Sequence, residues 1–327
     1  MAERLNLLQQ WLREDLSLAE FTVTPASEDA SFRRYFRVNW DGNTAIVMDA
    51  PPDKEDCTAF LDITARLLQC GVNVPDIRES NLELGFLLID DLGTELYLDV
   101  LNQDNATRLY TDAIDSLVRF QDRAETGGLP PYDEKLLRQE MSLFSDWLVG
   151  RHLRIDITAA LEKSLAGIFT LLVENALQQP RVFVHRDYHS RNLMLNRRNP
   201  GIVDYQDAVY GPVTYDLVSL LKDCYIKWPR DMMLAWLEEF RDKCPVTPAV
   251  NAGAEQLQRW FDLMGVQRHL KASGIFARLL HRDNKSGFVG DIPRTLSYIV
   301  DLEPDYPELL PLTGFIREQV LPALEQQ

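Results

Sequence analysis

Val182-Phe183-Val184-His185-Arg186-Asp187-Tyr188-His189-Ser190-Arg191-Asn192, with Ile202-Val203-Asp204-Tyr205 shortly after it, decides how the rest of the chain is read. The apolar run Val182–Val184 delivers His185-Arg186-Asp187 to a loop. Asn192 follows Asp187 at a spacing of five, and Asp204 ends a second apolar run. Phosphoryl transfer needs such a set. One carboxylate orients the attacking hydroxyl and accepts its proton, and an amide oxygen and a second carboxylate hold Mg²⁺ against the phosphates. Asp187, Asn192 and Asp204 suit those roles in that order. The pattern His-x-Asp alone is weak; the spacing to Asn and the strand-end Asp make it specific. The competing structural reading is a surface turn in which Asp187 caps a helix. His185 and His189 stand four apart, but the segment does not read as a helix and no third ligand accompanies them, so zinc is not expected. His185 is expected to brace the loop backbone.

Upstream of the loop the pattern is β-rich. Phe21–Thr24, Tyr35–Trp40 and Thr44–Met48 read as strands, and Asp41-Gly42-Asn43 between the last two is a hairpin signal because these residues tolerate positive φ. Glu55–Gln69 reads as a helix, and strands follow around 75–79 and 86–90. Leu5, Leu8, Leu12 and Leu16, with Trp11, mark an amphipathic first helix that packs on the body. From Glu95 onward the spacing is mainly helical, through 108–124, 135–148, 157–177, 232–243, 254–280 and 293–302. The expected fold class is α+β. It has a small N-terminal antiparallel-sheet lobe, residues 1–91, and a larger helical C-terminal lobe, residues 92–327.

Composition narrows the function. The chain has 327 residues, 46% hydrophobic and 26% charged, enough for an ordinary core. Its net charge of −16 disfavours nucleic acid and anionic lipid as partners. The four cysteines, Cys57, Cys70, Cys224 and Cys244, have no metal-site spacing and suit a reducing compartment. No signal-peptide pattern and no long apolar span occur, so a cytoplasmic protein is expected.

The loop with its second histidine, and Ile202-Val203-Asp204-Tyr205-Gln206-Asp207-Ala208 after it, resemble the aminoglycoside phosphotransferase and choline kinase superfamily. These are small-molecule relatives of protein kinases, and the resemblance implies the two-lobed protein-kinase-like fold. The short reach from Asn192 to Asp204 and the absence of an Ala-Pro-Glu segment separate the chain from protein kinases. The resemblance implies ATP and Mg²⁺ as cofactors, with MgATP bound between the lobes. It implies Asp187 as the catalytic residue and Asn192 and Asp204 as metal ligands, with Asp216 steadying the loop. Nucleotide contacts fall to Asp90, Asp91 and Leu92 of the linker, whose backbone meets adenine. They also fall to Ser31, Phe32, Arg33 and Arg34 of the phosphate-covering loop. Two family features are missing. There is no Gly-x-Gly-x-x-Gly, and Met48 stands about where the strand-three Lys belongs. Arg33, Arg34 or Lys54 is expected to supply the charge. A nucleotide-binding pseudokinase is the alternative.

Within the superfamily, three segments resemble bacterial cell-wall amino-sugar kinases, which phosphorylate the anomeric hydroxyl of N-acetylmuramate and N-acetylglucosamine in peptidoglycan recycling. They are Ser31–Arg37 with Met48–Pro52, Phe144-Ser145-Asp146-Trp147, and Gln267–Arg278 with Arg282–Lys285. Residues 268–285 carry Arg268, Lys271, Arg278, Arg282 and Lys285, with Arg268, Lys271 and Ile275 on one helical face, a basic cluster that suits the lactyl carboxylate of a muramate and not a polycationic aminoglycoside; Arg268, Lys271 and Arg278 are the candidates to contact it. These three, with His189 and Asp207, are the expected acceptor contacts. Trp147 and Trp260 are candidates for stacking on a sugar, although a tryptophan at either position is more often core. An aminoglycoside or other alcohol kinase is the rival enzyme. The expected partner is the small-molecule sugar alone, with the protein a monomer.

Overall fold

The computed structural model describes residues 2–28, 32–244 and 253–327. It divides into two compact units. The first runs to Glu95 and also takes in Met194–Asp207; the second comprises Leu96–Leu193 and Ala208–Gln327. A single cut at residue 91 or 92 is the expectation from sequence, and the structure adds the segment that carries Asp204 and Asp207 to the first unit. Asn73 makes that addition. Its carbonyl accepts the Ile202 N–H at 2.8 Å and its Nδ2 donates to the Arg198 carbonyl at 2.5 Å. Leu195 N–H donates to the Glu95 carbonyl at 2.8 Å. A contact between segments so far apart in sequence leaves no periodic trace.

The first unit holds an antiparallel sheet in the order β1-β2-β3-β5-β4, from β1 (Thr22–Glu28), β2 (Arg34–Trp40), β3 (Asn43–Asp49), β4 (Ile77–Asn81) and β5 (Phe86–Asp90). Asp41 and Gly42 turn the β2–β3 hairpin at φ of 45° and 76°, the positive values that the Asp-Gly signal predicts. Helix α1 (Ala2–Glu14) buries Leu8, Trp11 and Leu12 against Val38, Ala45, Val47, Phe86 and Leu88. Burying side chains of this kind contributes roughly 1.5–3 kcal/mol each. Helix α2 (Thr58–Gln69) is the helix inserted after the third strand, and it starts three residues later than the sequence pattern suggests.

The second unit is mainly helical. Its helices include Ala106–Arg123, Glu134–Leu143, Ala159–Leu177, Tyr215–Leu221, Arg230–Lys243 and the long Gly253–Asp283. Helix Glu134–Leu143 continues as a π-helix over Phe144–His152, where regular α-helix was expected as far as 148. The long helix crosses this α-to-π junction at Gly274, where an added Cβ would meet the backbone of Leu143 and lie 2.6 Å from Phe144 N. Glycine is required there by close approach. A two-stranded ribbon, Arg181–Val184 with Val209–Pro212, leads into and out of the loop quoted above. Among the described residues no helix is long and apolar enough to cross a membrane. The four cysteines are free and buried.

Candidate active site

In the second unit, strand Arg181–Val184 stops and the chain turns sharply. Arg186 has φ of 78°, a left-handed value that costs a non-glycine residue of order 1 kcal/mol and survives only when neighbours enforce it. Two carboxylates do so. Asp216, fully buried on helix Tyr215–Leu221, accepts the backbone N–H of His185 at 2.7 Å and of Arg186 at 2.9 Å. Burial lifts its pKa and the two N–H donors pull it back, leaving it at about 7. Glu140, buried on helix Glu134–Leu143, accepts from the Arg186 guanidinium at 2.6 Å. It also accepts from Lys271 at 3.0 Å and from the Tyr132 hydroxyl. Burial favours its neutral acid, but Lys271 and Arg186 hold it ionised, with a pKa below the usual value.

Asp187 is the centre of this arrangement. Its N–H donates to His185 Nδ1 at 3.3 Å, and its carbonyl accepts from the His189 N–H and from Asn192 Nδ2, both at 3.0 Å. His185 is thus a backbone brace. Burial raises the Asp187 pKa, but the charges of Lys271, His189, Arg268 and Arg186 outweigh it and draw it to about 2. Asp187 is an anion at neutral pH. Burial lowers the pKa of His189, against a weaker opposing pull from Asp223 and Asp187.

Of the basic residues on the long helix, Lys271 and Arg268 act on Asp187 and Arg278 does not. Lys271 is buried and already bonded, to Glu140 and to the Tyr215 hydroxyl at 2.9 Å. Arg268 is buried and donates to the Cys224 thiol at 3.5 Å. Burial lowers the pKa of Arg278, and its charged neighbours are Arg282 and Asp283. Trp260 is core, and Trp147 lies under the Arg151 guanidinium at 4.8 Å. The ring beside the loop is Tyr225, at 5.4 Å from His189. Sequence reasoning also missed Asp223. One of its oxygens accepts from the N–H of Ser190 at 2.9 Å and from its hydroxyl at 2.5 Å. The other accepts the N–H of Tyr225 at 2.9 Å. Its only sequence signal is a spacing of seven from Asp216. Glu140 gives no signal beyond helical periodicity.

The first unit carries the remaining candidates. Asp204, exposed at φ of 63°, accepts from Gln206 Nε2 at 2.8 Å, and Asp207 is exposed three residues on. Asp90 pairs with Arg78 at 2.7 Å. Asp91 receives Arg37 at 2.6 Å, the Thr44 hydroxyl at 2.6 Å and the Gly93 N–H at 2.9 Å. Burial pushes its pKa up, and these donors bring it below the usual carboxylate value. The Leu92 carbonyl accepts from Asn196 Nδ2 at 2.9 Å. Ser31 lies outside the described residues. Phe32 is exposed, and its N–H donates to Glu55 at 3.0 Å. Arg33 pairs with the same carboxylate at 3.2 Å. Arg34 differs from Arg33 in a way that strand alternation dictates. It lies opposite Asp49 on β3, and it shares that fully buried carboxylate with Arg4 of α1. Met48, also fully buried, points to the other face of the sheet. Arg34 is thus committed to Asp49, on the opposite face from Met48. Lys54 rides over the Phe32 ring at 5.8 Å.

A strand-led loop with a buried carboxylate brace and an ionised Asp beside an Asn defines a phosphotransferase scaffold. Residues 22–252 match the model of the phosphotransferase enzyme family, and the chain belongs to that family. It is similar to the N-acetylmuramate/N-acetylglucosamine kinase of Pseudomonas putida, with 46% identity over 96% of each chain. The Pseudomonas aeruginosa protein of the same name is 48% identical over 89% of this chain and 86% of its own. Among solved structures, Plasmodium vivax ethanolamine kinase has the same fold, with a TM-score of 0.64 at 11% identity over 90% of this chain and 88% of its own.

Proposed function

We propose that this phosphotransferase is an ATP- and Mg²⁺-dependent amino-sugar kinase acting on the C1 hydroxyl of N-acetylmuramate and N-acetylglucosamine. The observation that carries the chemistry is the ionised Asp187, held at a pKa of about 2 by surrounding cations, with Asn192 tied to its carbonyl. The 46–48% identity to kinases with that substrate name supports the acceptor.

Asp187 accepts a hydrogen bond from the acceptor hydroxyl and so aims its oxygen at the γ-phosphorus. An acid this strong takes the proton only late, as the P–O bond forms, which suits the loose transition state of phosphoryl transfer. The Asn192 amide oxygen in the second unit and the Asp204 carboxylate in the first would each offer Mg²⁺ a hard oxygen donor of the kind the ion selects. Because Asn192 Nδ2 donates to the Asp187 carbonyl, the Asn192 amide oxygen is the atom that would be offered to the ion. Bound Mg²⁺ supplies neutralisation of phosphate charge. Arg33, paired with Glu55 beside α2, takes the place of the absent strand-three Lys and its Glu partner. Arg268 and His189 are the acceptor contacts nearest in charge to Asp187, and Lys271 acts through Glu140 and through its field.

Purified protein with ATP, Mg²⁺ and a panel of N-acetylmuramate, N-acetylglucosamine, kanamycin and choline, read by phosphorus NMR, tests this. Phosphate on C1 of the amino sugars is expected, and chelating Mg²⁺ should abolish it. Phosphate on kanamycin alone would replace the reading with an antibiotic kinase. Nucleotide binding without turnover of any acceptor would replace it with a pseudokinase.

A further inference from the structure

Arg191 lies on the same loop as Asp187, next to Asn192, and it is exposed. Its guanidinium sits 4.8 Å from the Tyr225 ring and 5.1 Å from the Phe288 ring, so an arginine that solvent would otherwise leave mobile is clamped between two aromatic faces. Phe288 stacks on Phe276 at 5.7 Å, and Tyr225 packs on Phe276 at 6.1 Å and on His189 at 5.4 Å. The clamp is built into the catalytic loop. Asp223 holds the Tyr225 backbone with one oxygen and Ser190 with the other, so the ring and the loop share one buried carboxylate. Among the described residues no carboxylate pairs with Arg191. In a chain with a net charge of −16, a fixed arginine fork left without an acid beside the reacting centre invites an anion.

We infer that Arg191, held by Tyr225 and Phe288, binds the carboxylate of an acidic acceptor and sets the preference for N-acetylmuramate over N-acetylglucosamine. This rests on the proposed amino-sugar kinase activity. N-acetylglucosamine offers the same C1 hydroxyl and acetamido group and lacks the lactyl carboxylate, so the fork acts on one substrate and not on the other. The aromatic faces supply rigidity: a guanidinium ordered before binding loses less freedom when its hydrogen bonds form.

The experiment compares kcat/KM for N-acetylmuramate, its methyl ester and N-acetylglucosamine in the wild type and in the R191M, R191K and R268M proteins, with melting temperature as the folding control. In R191M the ratio of kcat/KM for N-acetylmuramate over N-acetylglucosamine should fall at least tenfold, mainly through KM. R191K should fall between R191M and the wild type. The wild type should treat the methyl ester as it treats N-acetylglucosamine. An unchanged ratio in a folded R191M that turns over both sugars overturns the inference and leaves the amino-sugar assignment standing. So does a ratio that collapses in R268M but not in R191M. A wild type that phosphorylates neither sugar removes both.

Discussion

The carboxylate of Glu140 lies 2.6 Å from the guanidinium of Arg186, the residue immediately before Asp187. It makes a second ion pair with Lys271 at 3.0 Å. One buried acid thereby ties helix Glu134–Leu143, the loop and the long helix together. Glu140→Gln keeps the shape and removes the charge, leaving two cations with reduced compensation. Breaking a buried network of this kind costs about 3 kcal/mol. Urea unfolding of E140Q should show that loss, and kcat should fall as the Arg186 conformation relaxes.

Asp187→Asn should lower kcat by about 10²–10⁴, the usual contribution of a positioned base. ATP affinity, measured by calorimetry, should stay within about threefold, because an orienting group for the acceptor adds little to nucleotide binding. Turnover equal to the wild type would remove Asp187 from the mechanism.

Asp216 has a folded-state pKa of about 7 against an ordinary 3.8. A raised pKa means that the folded protein prefers the protonated acid. The stability from this preference is fully present below about pH 4 and is lost as pH rises through 7, by up to about 4 kcal/mol. Asp216→Asn cannot titrate. The difference in unfolding free energy between wild type and D216N, measured from pH 4 to pH 8, should therefore move against the wild type as pH rises. A flat difference would show that Asp216 does not titrate there.

Arg33 and Arg34 are adjacent in sequence and face different partners. Arg33→Met should raise the KM for ATP at least tenfold with little loss of stability. Arg34→Met should leave Asp49 with Arg4 alone and cost roughly 2 kcal/mol, the pair being partly exposed. Thermal melts with ATP kinetics on both variants separate the two roles. An equal effect on KM in both would contradict the split.

Gly274→Ala drives a methyl group into the backbone of Leu143 and Phe144 and should cost about 3 kcal/mol or more, or prevent folding. Gly287→Ala meets nothing within 4 Å and should be nearly neutral. Melting temperatures of the pair check this.

The sequence was most legible where physics is local. Short apolar-rich runs predict β2, β3 and β5, and Asp41-Gly42 predicts the β2–β3 hairpin, because a turn needs only its own residues to reach positive φ. The spacing of Leu8, Trp11 and Leu12 predicts the buried face of α1. The π-helix at Phe144–His152 was not legible, since its composition is that of an α-helix and the switch coincides with the crossing at Gly274. Nor did sequence distinguish the basic residues of the long helix. Sequence clusters Arg268, Lys271 and Arg278 on one helix, and it does not say which has an acid waiting for it.

The loop on which the chain is read, His185 to Asn192, is legible in sequence alone: residue type and spacing are enough to propose Asp187 as a base and Asn192 as an amide ligand. Tertiary structure decided what surrounds them. Glu140 and Asp216 come from helices and Asp223 from the segment just after helix Tyr215–Leu221, and their carboxylates hold Arg186, His185 and Ser190 in place. The same convergence consumes Lys271, leaves Arg268 with a thiol and clamps Arg191 between two rings. Spacing in sequence sets which side chains share one element. Whether a buried charge meets its opposite depends on packing between elements, where the loss of water makes each pairing count.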